Sequence, residues 1–152
     1  MAISNLNNSI KGLEINKLKE INVPKGNVLK FLDKRDKSFK EFGECYLSCI
    51  KFNAIKGWKR HKKATLNLIV PVGKIKFVIF GKNNKSKSIF NHFILSRENY
   101  IRLTIPPMFW VAFQGLSETE SILINLIDIV HDPNEAENKC IDTFKYDWSL
   151  VK

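Results

Sequence analysis

The chain has 152 residues, enough for one domain with a real core, and its 44% hydrophobic and 26% charged residues exclude a disordered sequence. Seven Gly and five Pro exclude a collagen-like chain, and apolar stretches such as Leu66–Val70 and Phe77–Phe80 fall far short of the ~20 residues that span a bilayer. The formal charge of +10 is unevenly placed: residues 1–89 carry 20 bases against 6 acids, and residues 90–152 carry 5 against 9. Such a field attracts phosphate on a nucleotide-linked ligand, a nucleic acid or an anionic lipid. Three cysteines without paired spacing fit a reducing compartment. The start, Met1-Ala2-Ile3-Ser4-Asn5, lacks the basic-then-apolar pattern of a secretory signal, so a cytoplasmic location is expected.

In chain order, Lys11–Glu20 reads as a short helix or an irregular arm. Cys45–Phe52 reads as a strand with Cys45 and Cys49 on one face, expected to be small buried hydrophobes. A basic loop is expected over 56–63, directly before a strand at Thr65–Pro71 rich in Leu, Ile and Val. Val72-Gly73 offers a tight turn into Lys74–Phe80, where Lys74 and Lys76 alternate with Ile75 and Phe77 and so predict one wet and one buried face. After the polar cluster Gly81–Lys87 come strands at Ser88–Leu95, Tyr100–Ile105, Phe109–Gly115 and Ser121–Ile129. Short strands at this near-regular spacing predict an all-β antiparallel sandwich or barrel. Residues 1–40 are expected to form an arm and the strands leading into the barrel, 41–130 the barrel, and 131–152 a tail docking through Tyr146 and Trp148.

The chemistry concentrates in Lys56-Gly57-Trp58-Lys59-Arg60-His61-Lys62-Lys63, five cations and a histidine in eight residues. Placed at a barrel mouth, the run offers donors to phosphate or carboxylate, and Trp58 offers a ring to stack on a base or sugar. The alternative is a solvated loop with Trp58 as a core anchor. Lys59 and His61 stand two apart, so on a strand they share a face. Asp128, His131, Asp132, Asn134 and Glu135 form a polar group after an apolar strand. Asp128 or His131 is read as a candidate acid there, against a plain turn begun by Asp132-Pro133.

The stretch "FGECYLSCIKFNAIKGWKRHKKATLNLIVPVGKIKFVIF", with "ENYIRLTIPPMFWVAFQGLS", "HDPNE" and the closing "YDW", resembles the dTDP-4-dehydrorhamnose 3,5-epimerase family of the cupin superfamily, in a shorter branch with an I-K-G-W-x-R-H-K motif. The resemblance covers most of residues 11–149. It implies a single-domain cupin jelly roll, a homodimer sharing N-terminal strands, and a nucleotide-diphosphate 4-keto-6-deoxy sugar bound in the barrel mouth. In the family a histidine removes the proton beside the keto group, a tyrosine returns one on the other face, and a lysine steadies the enolate, without a cofactor.

The chain departs from that pattern. The histidine position falls on Lys59, the lysine position near Leu66, the tyrosine position near Ile129, and a histidine after the Pro-Pro turn is replaced around Val111. Related sugar-nucleotide 3,4-ketoisomerases carry an H-x-H-K-K run that Lys59–Lys63 matches at its second histidine, His61. Lys59 also occupies the first slot of the cupin metal site and repels a cation, so no metal is expected.

The resulting expectation is a sugar-nucleotide epimerase of the 3,5 type serving surface polysaccharide sugars. His61 is the base and Lys59 the second proton-transfer group, with Arg60, Lys62 and Lys63 on phosphate, and Trp58, Asn67, Asp128 and His131 as further binding residues. Asn67 is placed with Lys59 and His61 at the open end of the barrel. Nucleic acid and membrane are not expected partners. The alternatives are a cupin that binds a sugar nucleotide without chemistry and a 3,4-ketoisomerase; a nucleic-acid-binding barrel is favoured by charge alone.

Overall fold

A computed structural model describes residues 10–149; the reading of Met1–Asn5 lies outside them. Twelve strands follow one another: β1 Glu14–Lys17, β2 Glu20–Ile21, β3 Val28–Leu29, β4 Glu44–Ile50, β5 Ile55–His61, β6 Leu66–Val72, β7 Lys74–Lys82, β8 Ser88–Ser96, β9 Ile101–Ile105, β10 Trp110–Gly115, β11 Ser121–Ile127 and β12 Ala136–Asn138. One sheet has the order β1-β9-β6-β11-β4 and the other β12-β5-β10-β7-β8, while β2 and β3 form a separate hairpin. All the pairings are antiparallel, which makes the molecule an all-β jelly-roll sandwich, as expected. Gly73 turns β6 into β7 with φ of +77°, and a Cβ there would strike Ser121.

The inward residues of both sheets, among them Leu66, Leu68, Val70, Ile75, Phe77, Ile79, Leu103 and Leu123, fill the core between the layers. A second apolar cluster lies on the outer face of the β5–β10–β7–β8 sheet, where Trp58, Val78, Trp110 and Ala112 are covered by Phe144, Tyr146 and Trp148 of the C-terminal segment. Trp58 Nε1 donates to the Ile141 carbonyl at 2.9 Å, and the rings of Trp58 and Phe144 meet edge-on with centroids 5.3 Å apart.

Several expectations change. Lys11–Glu20 is β1 and the start of β2 rather than a helix, because β1 pairs along its whole length with β9. The predicted loop 56–63 is mostly strand β5. Lys76, expected on a wet face, is fully buried: the tail covers that face, Lys76 Nζ donates to the Trp148 carbonyl at 2.8 Å, and it sits over the Tyr146 and Trp148 rings. Cys45 and Cys49, expected inside, are exposed, because β4 alternates and Tyr46 and Ser48 take its inward side.

Candidate functional site

Register in β5 sets which side chains face the barrel interior. Lys59 pairs with Val111 and Lys56 with Phe113, so three steps along β5 match two along β10. The extra residue is a β-bulge at Gly57-Trp58, opposite Ala112. Gly57 has φ of +131°, and a Cβ on it would strike Ala112, so glycine is required. The bulge brings Lys56 onto the same inward face as Lys59 and His61 and sends Trp58 outward into the aromatic cluster.

Two adjoining cavities lie between the sheets, of about 300 and 480 Å³, and Tyr46, Lys59 and His61 line both. The inner one adds Lys56, Asn125, Asn138 and an apolar wall. The outer one adds Glu44, His131, Asp132 and Glu135.

The best-defined group is His61 with Glu135. Glu135 Oε2 lies 2.5 Å from His61 Nδ1, and Oε1 accepts the backbone N–H groups of Lys63 and Ala64 at 2.8 and 2.9 Å. Burial pushes the Glu135 carboxyl up, but those two N–H groups and His61 together outweigh it and hold the carboxyl below its ordinary value of 4.5. An ionised carboxylate only accepts, so Nδ1 carries a proton, and the tautomer this selects has its lone pair on Nε2. Pairing of β12 with β5 fixes this contact, with Ala136 opposite His61.

Tyr46 reaches the cavities from β4, in the opposite sheet. Its hydroxyl accepts from Asn125 Nδ2 at 2.8 Å, which leaves its own proton for another acceptor. Burial raises this hydroxyl above the usual phenol value; the Asn125 bond opposes the rise, and the carboxylates of Glu44 and Glu135 add to it. The phenol therefore stays protonated near neutral pH and can donate.

Of the residues singled out from sequence, Lys59, His61 and His131 line the cavities. The others are placed elsewhere. Trp58 is fully buried beneath the tail and offers no ring to a ligand. Arg60 points outward, donating from Nε to Glu137 at 2.8 Å and lying 4.7 Å over the Trp110 ring. Lys62 Nζ donates to the Asn134 carbonyl at 2.9 Å, and Lys63 serves through its backbone N–H. Asn67 faces away from the barrel, accepting from Thr104 Oγ1 at 2.8 Å, because β6 alternates and Leu66 and Leu68 take the inner side. Asp128 anchors the chain, accepting from the Thr65 N–H at 2.7 Å. Among the described residues no three His, Cys, Asp or Glu side chains converge as a metal-binding group.

Tyr46, Lys56 and Glu135 are among the lining residues not assigned from sequence. Gly57 inside a strand pattern is the signal for the bulge that turns Lys56 inward. Glu135 lies 74 residues from His61, a distance that no local spacing reveals.

The fold has close counterparts among solved structures. A dTDP sugar isomerase from Desulfovibrio desulfuricans G20 is 31% identical, with 94% of each chain covered and a TM-score of 0.87. A variant of QdtA, a 3,4-ketoisomerase from Thermoanaerobacterium thermosaccharolyticum in complex with TDP-4-keto-6-deoxyglucose, is 19% identical over 85% of this chain and 88% of the other, with a TM-score of 0.71. A dTDP-4-dehydrorhamnose 3,5-epimerase from Sulfolobus tokodaii is 21% identical over 91% and 83%, with a TM-score of 0.78. No curated protein matches the sequence. The family model described as FdtA: WxcM-like, C-terminal matches residues 11–144, and with a 31% identical relative over nearly the whole chain this protein belongs to that cupin family.

Proposed function

We propose that the protein is an isomerase acting on a nucleoside-diphosphate-linked 4-keto-6-deoxy sugar, with His61 as its base. The observation that carries this reading is the His61–Glu135 pair: a buried carboxylate holds Nδ1 and leaves Nε2 as a proton acceptor on a residue lining both cavities. The similar proteins support it, being named for dTDP-sugar isomerisation, 3,4-ketoisomerisation and 3,5-epimerisation. The Lys56 cation suits the diphosphate.

The carbonyl at C4 acidifies the C3–H bond. His61 Nε2 takes that proton, and the electron pair moves into O4 to give an enediolate, which the Lys59 ammonium and the Tyr46 O–H stabilise. In ketoisomerisation O3 then loses its proton, O4 gains one, and His61, its proton exchanged with solvent, protonates C4. C3 becomes the carbonyl and C4 the alcohol, so hydrogen lost at one carbon is gained at the next and no external oxidant is needed. One base on one face suffices. The second reading, 3,5-epimerisation, needs proton delivery from the opposite face, and Tyr46 on β4 favours it.

The product would feed the synthesis of surface polysaccharide sugars in the cytoplasm. A homodimer is supported by the apolar outer face of β4, where Leu47 is 62% exposed.

The test is a panel of dTDP-, GDP- and UDP-linked 4-keto-6-deoxy sugars in deuterated water, followed by NMR. Deuterium at C4 of a new 3-keto sugar identifies the ketoisomerase. Deuterium with inversion at C3 or C5 identifies the epimerase. Binding without exchange for any of them leaves a sugar-nucleotide-binding module and overturns the enzyme.

A further inference from the structure

Glu135 leads directly into β12, a strand of three residues at the edge of its sheet, next to β5. The pairing runs on past β12: the Trp58 N–H donates to the Lys139 carbonyl at 3.1 Å, and the Lys139 N–H to the Trp58 carbonyl at 2.9 Å. After a single 3-10 turn at Ile141–Thr143, Phe144, Tyr146 and Trp148 pack on the outer face of the same sheet. β5 thus carries His61 toward the cavities and Trp58 toward the segment, where the Trp58 ring meets Phe144 and Trp148 with centroids 5.3 and 6.0 Å away. The Lys63 and Ala64 N–H groups tether only Oε1 of Glu135. The aim of Oε2 at His61 Nδ1 depends on where β12 holds the backbone.

Docking of the segment is a balance. Its rings gain by leaving water, but polar groups are buried with them. Lys76 is fully buried with its ammonium on the Trp148 carbonyl. The Tyr146 hydroxyl, and Gln114 Oε1 opposite Lys76 on β10, are buried with no hydrogen-bond partner among the described residues. Lifting the segment rehydrates the Tyr146 hydroxyl and the Lys76 ammonium, which offsets part of the loss of ring packing. We propose that residues 139–149 form a strap that positions the His61–Glu135 pair. Docked, it holds β12 on β5 and keeps Oε2 on Nδ1. Lifted, it frees β12, and the imidazole loses its fixed tautomer. Phe144 and Trp148 are then positioning residues for His61, although they lie across the sheet from it.

The inference rests on the reading of His61 as the base, but its test reads the ring and not the reaction. The experiment follows the full chain by amide hydrogen exchange and by 15N NMR of the His61 ring, at about pH 8, where an ordinary histidine is neutral. Phe144→Leu is expected to speed exchange of the Trp58 and Lys139 amides about tenfold and to shift the ring nitrogens toward a mixture of tautomers. Tyr146→Phe, which keeps the ring and removes the unpartnered hydroxyl, is expected to slow the same amides about tenfold and leave the Nδ1–H form intact. Glu135→Gln supplies the reference spectrum for the lost contact, and Trp148→Phe replaces Phe144→Leu if that variant does not fold. Faster amide exchange with the His61 tautomer unchanged overturns the inference, as does exchange that neither variant alters or that Tyr146→Phe accelerates. The expected shifts in a chain that exchanges no proton with any 4-keto sugar uphold the strap and overturn only the chemistry.

Discussion

Replacing Glu135 with Gln changes one atom's chemistry while preserving shape. The amide oxygen still accepts from the Lys63 and Ala64 N–H groups, so the turn after β5 keeps its anchor. The amide NH2 then faces His61 Nδ1 where a carboxylate oxygen stood at 2.5 Å. Two donors cannot share that contact, so His61 moves its proton to Nε2, the nitrogen that must be bare to act as base. General-base catalysis contributes about 10²–10⁴-fold, so proton exchange should slow by that factor, about 3–5 kcal/mol of barrier. Loss of the charge-assisted contact should lower stability by roughly 1–3 kcal/mol. The carboxyl's folded value lies below 4.5, so its ionised form stabilises the fold fully above pH 4.5, and that contribution disappears as pH falls through the folded value. Glu135→Gln should therefore flatten the acid side of the stability profile. The assays are deuterium exchange by NMR and thermal unfolding between pH 3 and 8. Exchange at the unaltered rate in a folded Glu135→Gln protein would refute the reasoning.

Tyr46→Phe keeps the ring and removes the donor, so exchange should slow by about 10²-fold while calorimetry shows ligand affinity retained. Lys56→Ala should weaken nucleotide-sugar binding by about tenfold in low salt and by less at high salt, whereas Arg60→Ala, on the outer face, should leave affinity unchanged in the same titration. Burial holds the Lys76 ammonium below its ordinary 10.5, against a smaller opposite pull from Asp147. Between the folded value and 10.5 the unfolded chain binds more protons, so stability should rise with pH there, and Lys76→Met should abolish that rise in denaturant titrations.

The barrel strands were legible because alternation and the Gly and Pro punctuation are local signals; β6, β7, β10 and β11 all fall within their predicted stretches or extend them by a residue or two. What failed depended on partners far along the chain. Lys76 alternates with apolar residues as a surface lysine does, yet a segment some 70 residues later closes over it. The cysteines of β4 follow the strand pattern, but nothing local tells which face of that strand turns to the core. The shared face of His61 and Lys59 was readable from their two-residue spacing, which survives because the bulge lies before both. Arg60 and Trp58 lie on the opposite face, which charge and aromaticity do not reveal. Glu135 stood in a plain polar cluster until β12 paired with β5.

The single extra residue in β5 makes this site sensitive to register as well as to composition. Substitutions around Lys56 adjust charge, but a side chain at Gly57 that flattened the bulge at unchanged length would restore strict alternation along the strand and turn Lys56 out of the cavity, with His61 and Lys59 left in place. Such a change would exchange a cavity-facing cation for its apolar neighbour Ile55 in one step, without altering either side chain. Among relatives with this barrel, replacement of the glycine at the position of Gly57 should mark changes in ligand more reliably than the identities of the flanking residues.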